Sequence, residues 1–149
     1  MKEFIVDISE EHYQVTEFKQ EDLPGIGVVN IALRDFEPKE VFAWHCSVMI
    51  DFEELIVNGM PSQDEVKIVD KFQDFLDEKI KGDPIKPNAL FLARITWNKT
   101  REIIWRIYDP EITNDLLSAL IESKDYPREF DFRIDHDPEW KMTQWHLKL

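Results

Sequence analysis

The sequence predicts an α+β fold, a ferredoxin-like split βαβ sandwich with one antiparallel sheet, two helices on one face and extra N-terminal strands. Three observations predict it. From Val41 onward, strand-like and helix-like apolar spacing follow one another as strand, helix, strand, strand, helix, strand. A capped helix begins at Ser62, which lies three residues before Glu65, the spacing of a capping box. Glu129 to His136 (EFDFRIDH) alternates strictly, with Phe130, Phe132 and Ile134 on one side, as a half-buried strand requires.

Each element has its own warrant. Met1 to Glu11 opens with FIVDI, read as extended, and His12 to Lys19 (HYQVTEFK) alternates weakly as a first strand. Leu23-Pro24-Gly25 reads as a turn, and the β-branched run Ile26 to Arg34 as a second strand. Asp35 to Glu40, with Pro38, is a connector, and the aromatic stretch Val41 to Phe52 is a strand near the sheet centre. So short a connector invites pairing of the strands on either side of it. The split βαβ order instead buries the latter between two others, and the sequence leaves both arrangements open. Residues 56–62 form a loop. The helix after Ser62 runs to about Lys81, with Val66, Val69, Phe72, Phe75, Leu76 and Ile80 on one stripe. Asp70, Lys71, Asp74 and Asp77 are expected to face water, and Gly82, Pro84 and Pro87 end the helix.

Ala89 to Trp97 and Arg101 to Tyr108 read as a hairpin closed by Asn98-Lys99-Thr100. Asp109 is an N-cap residue type, Pro110 fits the first helical position, and Ile112, Leu116, Leu117, Leu120 and Ile121 are the apolar face to about Ser123. After the strand ending at His136, residues 138–147 make a terminal helical turn. The expected organisation is a single domain over 1–149: strands in 1–40 added to a βαββαβ core at 41–136.

Composition bounds the function. The chain has 149 residues, 43% of them hydrophobic, enough for a core without staples. Its 18 Lys+Arg against 31 Asp+Glu give a formal net charge of -13. Direct nucleic-acid or anionic-membrane binding, which need cationic surface, is not expected; attraction of a basic protein partner is. The single Cys46 excludes an intramolecular disulfide. No apolar run approaches a membrane span, and the charged N-terminus is unlike a secretory signal, so a cytoplasmic protein is expected.

No catalytic set, metal site or cofactor motif is assembled. The glycines do not form a phosphate loop, and there is no GxSxG. Asp135-His136-Asp137 concentrates ligand types, but neighbours on a strand point to opposite faces. For the same reason His45 is not placed to activate Cys46, which shares parity with Trp44, Val48 and Ile50 and reads as a buried apolar residue.

One charge pattern stands out. Between Lys86 and Arg106 lie five bases and one acid, Glu102, whereas Asp109 to Glu139 holds ten acids against Lys124, Arg128 and Arg133. Parity puts Arg94, Arg106 and Tyr108 on the side of the sheet away from the helices, and Arg133 and His45 there too. Two readings follow: the arginines pair with neighbouring acids across strands, or this group is an anion- or ligand-binding face on an uncovered sheet. Trp140 and Trp145 form a second candidate set. Five residues apart, they lie about 140° apart on a helix, so one stripe does not bury both. Either both rings close the core through an irregular turn, or one marks a partner contact.

Arg94, Thr96, Arg101-Glu102 and Tyr108, then a helix, then Asp137-Pro-Glu-Trp140, resemble a bacterial family catalogued as domain of unknown function 695. The Pro24-Gly25 element before Val-Val-Asn-Ile and the Asn58-Gly59-Met60-Pro61 loop resemble it too, so the likeness covers residue 12 onward. The resemblance implies no activity and no catalytic residues. More loosely, the acidity and the D-P-E-W element are similar to RraB-type regulators, small acidic inhibitors of ribonuclease E. The functional expectation is therefore an acidic module that binds a basic protein, with a nuclease as its narrower form. The alternative is a small-molecule anion binder or enzyme on the open sheet face.

Overall fold

A computed structural model describes residue 8 and residues 10–149, so the extended reading of FIVDI falls outside the described residues apart from Ile8. Strands β1 (Tyr13–Gln20) and β2 (Leu23–Asn30) pair antiparallel. Glu21 and Asp22 close them with φ of 51° and 63°, the left-handed pair that a two-residue hairpin needs. The turn therefore falls two residues before the expected one. Leu23-Pro24-Gly25 is strand, tolerated because the ladder from β2 to β4 (Ala89–Trp97) starts only at Gly25. Gly25 has a reason of its own: the Phe18 ring, directly across in β1, lies where a Cβ would be.

Asn30 ends β2. Its side-chain oxygen accepts from the His12 and Ala32 amides at 3.0 and 3.3 Å, and its NH2 donates to the Phe91 carbonyl at 3.0 Å. The chain turns there into a 3-10 segment, Ile31–Asp35, followed by another at Lys39–Phe42. So the second expected strand stops short of Arg34, and β3 (Trp44–Asp51) begins after Val41. These segments carry the chain away from β2, and the two strands do not pair.

The rest follows the periodicity closely: α1 (Gln63–Lys81), β4, β5 (Thr100–Ile107), α2 (Pro110–Ser123) and β6 (Phe130–His136), then a 3-10 turn at Lys141–Thr143 and α3 (Gln144–Leu147). The fold is α+β. One six-stranded sheet has the order β1-β2-β4-β5-β3-β6, each pair antiparallel. Thus β5 is inserted between β3 and β4, β6 lies outside β3, and the N-terminal hairpin extends the β4 edge.

Ser62 Oγ accepts from the Glu65 amide at 3.1 Å, capping α1. The reciprocal half of the box does not form, because the Glu65 carboxylate accepts from the Glu53 amide at 2.8 Å and is clasped by Arg128 at 2.7 and 2.6 Å. Val69, Phe72, Leu76 and Ile80 are buried, whereas Phe75 and, on α2, Ile112 remain exposed. Asp70 and Asp77 do not simply face water: Asp70 binds Arg101, and Asp77 accepts from Trp105 Nε1 at 2.9 Å.

Two cores sit on opposite faces of the sheet. Against α1 and α2 pack Cys46, Val48, Ile50, Ile103, Trp105 and Ile107. On the other face Val29, Leu90, Leu92, Ala93 and Ile104 lie under Leu33, Phe36, Phe42 and Trp140. The face expected to be uncovered is therefore largely roofed, by the two 3-10 segments and the C-terminal segment. Each large apolar side chain so buried contributes about 1.5–3 kcal/mol, which is why a strand apolar on both sides cannot be left bare.

Candidate functional site

The sheet face away from the helices carries four of the five candidate ligand residues. On β3 it presents His45, Ser47 and Met49, since Cys46, Val48 and Ile50 go to the helices. Register places His45 opposite Arg106 on β5 and Asp135 on β6, Ser47 opposite Ile104 and Arg133, and Met49 opposite Glu102 and Asp131. Arg94 is the exception, and its placement is a correction. A register shift between Phe91 and Ala93 puts Leu92 and Ala93 both on the roofed face, so Arg94 emerges among the helices, 3.6 Å from Asp70 of α1. Simple alternation counted through the bulge gives the opposite side.

Arg106 is on the expected face but has no exposed surface. Its Nη1 donates to Asp137 Oδ2 at 3.0 Å, Nη2 to the Asp137 carbonyl at 2.5 Å and Nε to the Phe42 carbonyl at 3.2 Å. Trp140 caps it, with the guanidinium carbon 4.8 Å from the ring centre. Tyr108 packs edge-on against Phe42. Arg133 is open to solvent at 76% exposure and lies 3.3 Å from Asp135. The five residues do not converge on one pocket.

The arginine pattern has a simple outcome. Arg94 and Arg101 share Asp70, Arg106 holds Asp137, Arg128 holds Glu65 and Glu53, and Arg133 holds Asp135. Arg34 donates through Nε to the Leu147 carbonyl at 3.0 Å. All six arginines of the chain are engaged within it.

What is left on this face is an acidic recess of about 390 Å3 beside β6. Asp51, Glu102, Asp131 and Asp135 line it with one guanidinium, Arg133, and its apolar wall includes Met49 and Met142. Ser47 Oγ donates to Glu102 Oε2 at 2.5 Å. His45 also lines it, 96% buried by its 4% exposure, with Nδ1 lacking a partner among the described residues. His146 of α3 lies 6.4 Å away, its own Nδ1 also without a described partner. Burial, then the Arg106 guanidinium and His146, push His45 down to about 4 despite Asp137 and Asp135, and burial lowers His146 too. Both imidazoles are therefore neutral at pH 7.

The remaining cluster residues separate. Asp135 faces the recess, His136 lies against Trp44 at 4.5 Å, and Asp137 is buried on Arg106. Cys46 is fully buried among apolar groups, its thiol pushed up to about 12 by burial. A second cavity, about 400 Å3, is mainly apolar, and its Lys81 and Glu11 already pair with one another at 2.8 Å.

The tryptophans divide. Trp140 is 1% exposed, stacked on Phe36, with Nε1 donating to the Lys39 and Phe42 carbonyls, so it has no surface to offer a partner. Trp145 is 48% exposed, touching Phe18 by its edge. The expectation that both rings close the core holds for one. Sequence reasoning met Asp137 only as a ligand type in a cluster and in the terminal motif; its role, holding Arg106 and accepting from the Lys141 and Met142 amides at 3.0 Å each, was missed. The run Ala89-Leu-Phe-Leu-Ala93, apolar at every position, was the available signal that this strand is covered on both sides.

Among known proteins, a family model described as a family of unknown function (DUF695) matches residues 13–145. No curated protein and no solved structure matches. No helix among the described residues is long and apolar enough to cross a membrane.

Proposed function

The chain belongs to the family of unknown function DUF695, and on that premise we propose that it is a non-catalytic interaction module whose acidic surface binds a basic protein. The observation that carries this reading is that every arginine is already engaged by a carboxylate or carbonyl of the chain itself, the solvent-exposed Arg133 included. An anion-binding face needs cationic donors free to turn toward a ligand, and here five arginines hold carboxylates and the sixth a carbonyl. The formal charge of -13 that remains is long-range and negative, which speeds encounter with a positive partner and weakens with salt.

The test is affinity capture from host cells at low and moderate salt, then reconstitution with the purified partner. A basic protein whose dissociation constant rises steeply with salt is expected. A salt-insensitive partner, or turnover of a small anionic substrate by the purified protein, would remove the reading. A nuclease is the narrower form of partner, because its phosphate-binding cleft is basic. In that case the protein lowers ribonuclease or deoxyribonuclease activity when added to extract, and unchanged activity rejects the narrower form alone.

A further inference from the structure

We propose that the acidic recess beside β6 receives a lysine side chain from the basic partner protein. This rests on the interaction-module reading and adds the place and chemistry of contact. The register supplies the geometry. Glu102 on β5 and Asp131 on β6 flank Met49 on β3 in one row across three strands. Neighbouring strands lie about 4.8 Å apart, so two carboxylates stand either side of a thioether floor roughly 10 Å across. Met142 closes the recess from the C-terminal segment. A lysine has the matching form, an apolar four-carbon stem ending in an ammonium with three donors.

The charge balance favours the same occupant. Four carboxylates face one guanidinium, and Arg133 is already committed to Asp135. At its inner wall the recess is lined by His45, which is 4% exposed and has an Nδ1 without a partner among the described residues. Because burial lowers the pKa of both the His45 and His146 imidazoles, they add no opposing charge at neutral pH, and the His45 nitrogen is a buried polar group still without a partner among the described residues. Methionines make adaptable walls for a flexible stem. An anion meets the wrong sign here, and an aliphatic side chain leaves the carboxylates desolvated without a partner.

The experiment uses the full chain with methyl-labelled methionine and a capped oligolysine peptide as probe, read by NMR. The Met49 and Met142 methyl signals should shift on titration while Met60, outside the recess, stays in place. Asp131→Asn and Glu102→Gln should each weaken the peptide on the order of tenfold. Glu122→Gln, the same charge change at an exposed position of α2, should have little effect. An Nε-acetylated peptide should not bind. Peptide binding without movement of Met49 and Met142 overturns the recess and leaves the interaction-module reading standing. Equal binding of the acetylated peptide, or absence of binding to the lysine peptide, overturns the recess as well, and the salt dependence of the natural partner then judges the broader reading separately. Free cadaverine binding as tightly as the peptide assigns the recess to a small amine and overturns the protein ligand.

Discussion

At Arg106 a guanidinium without exposed surface is bound by a carboxylate, two backbone carbonyls and an indole face. Such a pair contributes little net stability relative to a well-packed apolar pair, but removing one member strands a buried charge. Asp137→Ala should therefore destabilise by about 3–5 kcal/mol in urea denaturation, and Asp137→Asn by less, since its amide oxygen still accepts. A loss within experimental error for the alanine variant would mean that water replaces the carboxylate. His45, beside it, makes a pH prediction. Its unfolded imidazole titrates near 6.5 and its folded one at about 4, with Arg106, His146, Asp135 and Asp137 as the charged or titratable groups acting on it. As pH falls below about 6.5, the unfolded chain takes up a proton that the folded chain refuses. Stability is thus full above that value and is lost down to about 4, by on the order of 3 kcal/mol. Glu65, held low chiefly by its hydrogen bonds from Arg128, loses stability with the same sign only below its unfolded value near 4.5. Urea midpoints from about pH 6.5 down to about 4.5, above the range where Glu65 contributes, should fall with acidity and fall less steeply in His45→Gln, with His146 supplying the remaining slope; parallel curves for the two proteins would contradict the assignment.

Among the elements, the N-terminal hairpin depends on a contact that local propensity hides. Phe18 lies over Gly25 across the β1–β2 ladder, so a methyl at that position must push the ring aside. Gly25→Ala is expected to cost about 1–3 kcal/mol, and the cost should shrink sharply when Phe18 is also alanine. Additive losses in the double variant, measured by thermal melts, would show the two positions to be independent. Such contacts mark the limit of what was legible. α1, the β4–β5 hairpin, α2 and β6 were readable because capping residues and periodicity are local: Ser62, Asp109 and the alternation of 130–134 each act within a few residues. The placement of Arg94 was not, because one extra residue in β4 leaves no trace in composition. Nor was the roof, whose 3-10 turns are too short for a period and whose anchors, Asn30, Asp137 and Trp140, find partners far along the chain. The recess has the same character. Glu102, Met49 and Asp131 are scattered in sequence, and only the strand order makes them neighbours.

For the molecule as a whole, the segment after β6 decides whether the sheet has one working core or two. Removing residues 138–149 takes away Trp140, Leu147 and Leu149 and uncovers Leu90, Leu92 and Ile104, a loss on the order of several kcal/mol against a typical total of about 5–15. The truncated chain should lose its cooperative melt, whereas Trp145→Ala, which removes a half-exposed ring, should keep a melting temperature near that of the parent. A truncated chain that melts normally would show that the helical face suffices alone. The bulge at Phe91–Ala93 governs the same division from inside the sheet. Its extra residue is a half-period phase shift: the first part of β4 runs in one phase and the last part, with the hairpin paired to it, in the other. Deleting Leu92 would leave a regular ladder in which Phe91 and Arg94 still face the helices and Ala93 still faces the roof, so the loss would be one roof side chain and the local bend rather than the sidedness of the strand. Sidedness in this strand is therefore set by its pairing with β5 and not by residue count, and a single extra residue taken up as a bulge leaves both flanks on their own faces.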